Sequence, residues 1–262
     1  RSLSKMHLVN NTWVNTLRHL IKDGQLAAPR SMKCRELLGF QTIVDMNMPV
    51  MSIAARKLSY KFMAAEAAWI LSGDNRVSTI RKNAPKIVDY SDDGITFHGA
   101  YGPKVIDQIP YIAKTLAKDY ETRQAVINIW RERPEDTKDV PCTVSLQFMI
   151  RNNRLHCFDT MRSSDIWLGW PYDVFNMSMI SRYILLYLKS IDEVAIDHDI
   201  ELGNLYLTAG SLHLYEENVK KAFQIITEPA LQNKLVEPFD ILPGTEVADP
   251  DDFIESLKYH AT

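Results

Sequence analysis

Hydrophobic positions recur at steps of three and four near the start of the chain. In "LVNNTWVNTLRHLIKDG", Leu8, Val9, Trp13, Val14, Leu17, Leu20 and Ile21 form one apolar stripe, which predicts an amphipathic helix ending near Gly24. "ELLGFQTIVDMNMP" reads as a strand that stops before Pro49. The stretch "RKLSYKFMAAEAAWILSGDN", rich in Ala, Leu and Met, predicts a second helix, in which one acid, Glu66, sits among alanines and a tryptophan. After a turn at Gly73, Asp74 and Asn75 come a short helix and a polar stretch, "DYSDDGITFHGAYG". Residues 103 to 118 repeat the helical stripe through Val105, Ile106, Ile109, Ile112, Ala113 and Leu116.

The texture then changes to alternation. "RQAVINIW", "CTVSLQFMI" and "RLHCFDTMR" read as strands, the last two joined across "RNN" like a hairpin. "VFNMSMISRYILLYLKSI" returns to helix, "LGNLYLTAGSLHLY" is strand-like and "YEENVKKAFQIIT" is a short helix. This order predicts an α/β (α+β) fold in which a mixed or antiparallel β-sheet is covered by helices, because strictly alternating strand and helix units are missing. No linker divides residues 1–262, so a single domain is expected.

Composition narrows the chemistry. The 262 residues are 46% hydrophobic, enough for a substantial core, and 30 basic against 33 acidic residues give a net charge of −3. That balance supplies no global field for polymeric nucleic acid, although a local arginine cluster can still hold one phosphate. The cysteines, Cys34, Cys142 and Cys157, form no CxxC pair, and an odd number argues against a complete disulfide framework. No apolar run approaches about 18 residues, and "RSLSKMHLVNN" lacks the apolar core of a signal peptide. A cytoplasmic, reducing setting is expected. The phosphate loop GxxxxGK[ST] and the GxGxxG fingerprint are missing, and the cysteines are too dispersed for a zinc signature, so no metal is expected.

Candidate chemistry concentrates in a few places. Cys142 follows Pro141 at the entrance to a strand, where a thiol is either a small buried hydrophobe or, with arginines nearby to lower its pKa, a nucleophile. Cys157 alternates with Leu155 and reads as a packed structural thiol. Glu66, an acid in apolar surroundings, is expected to have a raised pKa suited to relaying protons. "DTMRSSDIWLGWPYDVFN", residues 159 to 176, crowds an arginine, hydroxyls and acids around one Gly-Trp-Pro turn, as a small planar anion held at its phosphate and read at its ring edge would require.

These motifs together resemble the thymidylate synthase family and its pyrimidine hydroxymethylase relatives. "DVPCTVSLQF" is similar to the family's proline-cysteine nucleophile motif, "MRSSDIWLGWPYD" to its arginine-serine-x-aspartate-x-x-x-glycine-x-proline segment, "GSLHLY" to its sugar-binding histidine and tyrosine, and "EAAWILSGDN" to the helix of its catalytic glutamate. The likeness covers roughly residues 10 to 225, and the tail from about 226 diverges. It implies a thymidylate synthase-like fold, a homodimer with composite active sites, a pyrimidine nucleoside monophosphate substrate and 5,10-methylenetetrahydrofolate as one-carbon donor. By position, Cys142 would add to pyrimidine C6, with Glu66 and Tyr101 in the proton network. Arg30, Arg162 and Ser163 would hold the phosphate, Arg123 would reach the phosphate of the neighbouring subunit, and His213 and Tyr215 would hold the sugar. Val88, Asp165 and Gly169 would lie on the folate side.

The departures carry specificity. Asp173 stands where thymidylate synthases carry an asparagine, and the cytidylate hydroxymethylases of the family share this acid. An asparagine matches uracil O4 and N3–H, whereas an acid suits cytosine, whose amino group donates and whose N3 accepts. The alternative is a helix cap for a helix starting near Val174. Gln124 replaces a second arginine beside Arg123, Val88 replaces a tryptophan and Thr143 a histidine, and the tail lacks the family's short apolar terminus. A wetter site follows, in which water rather than hydride captures the exocyclic carbon. The expected activity is hydroxymethyl transfer to dCMP or CMP. The alternatives are dCMP methylation, thymidylate synthase-like dUMP methylation, or an inactive nucleotide-sensing or RNA-binding dimer.

Overall fold

A computed structural model describes residues 8–131, 136–232 and 248–262. The first apolar stripe forms α1 (Val9–Asp23), which buries Trp13, Leu17 and Leu20. After β1 (Gln25–Ala27), β2 runs from Cys34 to Asp45. Helix α2 (Tyr60–Leu71) starts later than the periodicity suggested, because the Ser59 hydroxyl accepts from Phe62 N and caps it there. Then follow α3 (Val77–Ile80) and α4 (Tyr101–Lys118). The strand expected over "RQAVINIW" shrinks to β3 (Val126–Asn128).

Next come β4 (Thr143–Arg151) and β5 (Arg154–Asp165). Asn152 and Asn153 join them with φ of 52° and 55°, the two left-handed residues that a tight hairpin needs and that asparagine tolerates. The long apolar helix α5 spans Trp170–Ile191 and is followed by α6 (Glu193–Asp197), β6 (Glu201–Tyr215), α7 (Glu216–Thr227) and α8 (Pro250–His260). Helix α5 begins four residues before Val174, so Asp173 lies in its first turn and is not its cap. Its main-chain N–H donates to Gly169 O.

The six strands lie in the order β1-β2-β6-β5-β4-β3. All pairs are antiparallel except β5 with β6, so the sheet is mixed. Register explains which face is covered. Leu146, Asp159 and Leu207 lie side by side across β4, β5 and β6 and are all buried, whereas the adjacent set Gln147, Phe158 and Tyr206 is only half-buried. On that second face Phe158 and Tyr206 stack at 4.6 Å. Helices α1, α4 and α5 supply the core of the first face, with α2 packed on α5.

Of the tail expected to diverge from about 226, residues 233–247 lie outside the described residues. Helix α8 docks on α2 by burying Phe253 and Leu257. Its end is held by Asn83 Nδ2, which donates to Ala261 O at 3.1 Å.

Candidate active site

The turn between β5 and α5 is where the dense segment earns its residues. Asp165 Oδ1 accepts the main-chain N–H groups of Trp167 and Leu168 at 2.8 and 3.0 Å. Trp170 is buried and donates from Nε1 to Thr42 Oγ1 at 3.0 Å. Trp13 Nε1 donates to Ile166 O at 2.7 Å, and Arg56 Nε donates to Trp167 O at 2.7 Å while its guanidinium lies over the Trp167 ring. The turn is thus locked from three sides. It presents Gly169 to a cavity, and a Cβ there would come within 3.3 Å of Asp173 Oδ2.

That cavity encloses about 600 Å³. Cys142, Arg162, Ser163 and Asp165 line it from the sheet ends, His213 and Tyr215 from the end of β6, and Arg30 and Gly169 from flanking turns. A second hollow of about 680 Å³ shares Arg30, Arg162, Ser163, His213 and Tyr215 and adds Trp130 and Lys138. Eight of the residues singled out in the sequence therefore meet at one crevice.

Arg162 is braced. Its Nε donates to Pro141 O at 2.9 Å, and one terminal nitrogen donates to Val140 O at 3.0 Å and lies 3.8 Å from Cys142 Sγ. Arg30 and Ser31 both adopt left-handed backbone, with φ of 52° and 64°. Non-glycine residues there cost on the order of 1–3 kcal/mol each, a strain that clusters where function requires it. The expectation that arginines depress the Cys142 thiol is half met. Burial pushes that thiol up, Arg162 and Arg30 pull it down, Asp173 and Asp139 add to the rise, and the net is upward.

Behind Cys142 stands a chain of acids. Tyr101, at the start of α4, accepts from Thr143 N at 3.0 Å through its hydroxyl. Burial, with Asp173 and Cys142, holds its phenol far above the ordinary value. Glu66 accepts from Asn176 Nδ2 at 2.8 Å, and burial pushes its carboxyl up to about 7 against the pull of that bond. Asp173 is pushed up to about 8, first by burial and then by Glu66 and Asp165. Glu66 and Asp173 keep a little exposed surface, yet protein encloses them enough for burial to dominate. No hydrogen bond reaches the Asp173 carboxyl among the described residues.

Five expected residues are absent from the cavity wall: Glu66, Tyr101 and Asp173 lie behind it, and Val88 and Arg123 lie apart from it. Val88 sits in the 3-10 turn Pro85–Tyr90 and packs on the core, and its neighbour Tyr90 lines the cavity instead. Arg123 is exposed before β3, at the sheet edge, where its carbonyl accepts from Gln147 Nε2 at 2.8 Å. Tyr90, Asn176, Arg56 and Lys138 were not anticipated. Asn176 was findable, since it follows Asp173 by three residues on a helix and so shares its face. Among the described residues no cluster of three or more His, Cys, Asp or Glu side chains is arranged to hold a metal ion, and no helix is long and apolar enough to cross a membrane.

A crevice between a mixed sheet and its helices, with a cysteine beside a braced arginine and acids behind it, defines a class of protein. A family profile described as thymidylate synthase matches residues 11–238, and the chain belongs to the thymidylate synthase family. A deoxyuridylate hydroxymethyltransferase of Bacillus phage SP01 is 26% identical to it over 269 residues, an alignment that takes in 91% of this chain and 66% of the phage protein. The chain thus spans slightly less than two thirds of that relative's length.

Proposed function

We propose that this chain is a pyrimidine nucleoside monophosphate 5-hydroxymethyltransferase acting on dCMP or CMP, with 5,10-methylenetetrahydrofolate as one-carbon donor and water as the source of the hydroxyl. The carrying observation is Asp173, an enclosed acid pushed up to about 8 and free of hydrogen bonds among the described residues. Neutral at pH 7, it offers one O–H and one C=O. Cytosine takes both, the O–H at N3 and the C=O from its amino group. An asparagine serves uracil without having to hold a proton, so an acid is needed here only for cytosine.

The other roles follow from chemistry. Arg30, Arg162 and Ser163 bind the phosphate, and His213 and Tyr215 take the sugar hydroxyl. A homodimer is supported by the half-buried sheet face around the stacked Phe158 and Tyr206, and by the position of Arg123, which is suited to a partner's crevice. The folate side also fits. Exposed Tyr90 and Leu168 offer apolar surface for a fused ring, Gly169 leaves the approach open, and Asp165 Oδ2 makes no hydrogen bond among the described residues and so remains for a ring N–H.

Cys142 loses its proton and its sulfur adds to C6, so the C5–C6 π electrons move into the ring and C5 becomes nucleophilic. Asp173 meets the charge at N3 by giving its proton there. Bound folate supplies one carbon at the oxidation level of formaldehyde. Tyr101 orders the path by which the C5 proton leaves, and Glu66, poised near neutrality, accepts and returns protons. With that carbon bonded to C5 and tetrahydrofolate released, water adds to the exocyclic carbon and gives up a proton, and the C5–C6 double bond re-forms as the Cys142 sulfur leaves and Asp173 recovers the proton from N3.

A second reading is deoxyuridylate hydroxymethylation, favoured by the name of the phage relative and by the fact that a neutral acid can also donate to O4 and accept from N3–H. Incubating CMP, dCMP and dUMP separately with methylenetetrahydrofolate, and identifying each product by mass, tests the proposal. Hydroxymethylated cytidylate is expected, and a product from dUMP alone contradicts it.

A further inference from the structure

Strand β5 carries a second acid that this chemistry does not use. Asp159 is 1% exposed and sits between Leu146 on β4 and Leu207 on β6, both fully buried. Neither of its carboxyl oxygens has a hydrogen-bond partner among the described residues. Alternation puts it on the sheet face that meets α5, beside the buried Cys157 and Met161. A carboxyl buried without partners costs free energy that a leucine in the same place would not. The position therefore calls for a compensating use.

Its surroundings suggest one. Burial and then Asp173 hold the Asp159 carboxyl far above the usual carboxylate range, so it keeps its proton. Titratable groups on the elements packed around it include the Cys157 thiol on β5 itself, Tyr101 on α4, Glu66 on α2, and Arg182 and Tyr183 on α5. Two further buried polar atoms, Thr143 Oγ1 and Asn176 Oδ1, are also without partners. Thr143 pairs with Met161 and so shares the face of Asp159, while Asn176 belongs to α5, which packs on β5. Unmet polar atoms thus gather in this layer close to Asp173.

We propose that Asp159 is a positioning residue for the base-reading acid, a proton-bearing carboxyl behind Asp173 whose O–H turns toward Asp173 when that group takes on charge. The inference rests on Asp173 reading the base. Once Asp173 has given its proton to ring N3, a carboxylate is left in apolar surroundings, and a donor behind it stabilises that charge. Asp159 itself remains neutral throughout, so one proton moves and none is lost.

Carbon-13 NMR of aspartate carboxyl groups in the nucleotide-free protein tests this directly. In the parent, the Asp159 signal should shift in step with the Asp173 titration. A donor stabilises the ionised form, so Asp159→Leu should raise the Asp173 midpoint, while Asp159→Asn, which keeps an N–H, should leave it near the parent value. Turnover of cytidylate should fall about tenfold or more in the leucine variant and be largely restored by asparagine, with KM little changed. An Asp173 midpoint unmoved by Asp159→Leu, or an Asp159 signal in the parent that ignores Asp173, overturns the proposal. Failure of the base reading looks different. Asp173→Asn would then leave nucleotide preference unchanged while the NMR coupling persisted, which removes the catalytic part of the proposal.

Discussion

Asn176 on α5 donates a 2.8 Å hydrogen bond from its side-chain amide to Glu66 Oε2 on α2. The bond ties the proton-relaying carboxyl to the helix that carries Asp173, about one turn away. It also opposes the burial that pushes Glu66 up to about 7. Asn176→Ala should therefore raise the Glu66 midpoint further and shift the acid limb of the pH–rate profile upward, by roughly one unit or less. An unmoved profile would separate Glu66 from the rate.

The raised acids also predict how stability depends on pH. Glu66 and Asp173 lie above their ordinary values in the folded chain, so the folded state holds protons that the unfolded state has released. Their contribution is fully present below about pH 4 and is lost as pH rises through about 7 and 8. Asp173→Asn should leave stability near that of the parent at pH 5 but raise it at pH 9, by on the order of 1–3 kcal/mol. Urea unfolding at the two pH values measures the difference.

Cys142 lies 3.8 Å from an Arg162 nitrogen at the cavity wall. Cys142→Ser should abolish turnover while leaving nucleotide affinity within a few fold, because Arg30, Arg162, Ser163, His213 and Tyr215 are untouched. Near-normal turnover would remove Cys142 as the nucleophile.

Arg123 is exposed and away from its own chain's cavity. If it crosses to a partner, mixing an Arg123→Ala protein with a Cys142→Ser protein should restore part of the activity, since half of the mixed dimers' sites are intact. The absence of rescue, with subunit exchange verified, would place Arg123 outside the site.

Much of this was legible in the sequence because local chemistry fixed it. Helix α1 follows its stripe, the β4–β5 hairpin follows two asparagines that tolerate left-handed backbone, and the residues around Arg162 meet because consecutive strand ends deliver them. What the sequence concealed depends on contacts distant along the chain. The net rise of the Cys142 thiol reflects burial that no spacing reveals. Tyr90 reaches the cavity through the turn that carries Val88 inward. Asp159 read as an ordinary strand residue until register placed it between two leucines. Helix α5 starts at Trp170, four residues before the Val174 expected, with Pro171 in its first turn, where proline is well suited.

The central claim is that the Asp173 carboxyl selects cytosine, and its most direct test is kcat/KM for dCMP, CMP and dUMP in the parent and in Asp173→Asn. Losing one matched buried hydrogen bond costs about 1–3 kcal/mol, or roughly five- to 150-fold in selectivity. The variant should lose turnover on cytidylate and gain relative use of uridylate, with binding of both nucleotides largely kept because the phosphate contacts remain. A cytosine-to-uracil ratio that is the same in parent and variant would contradict the account.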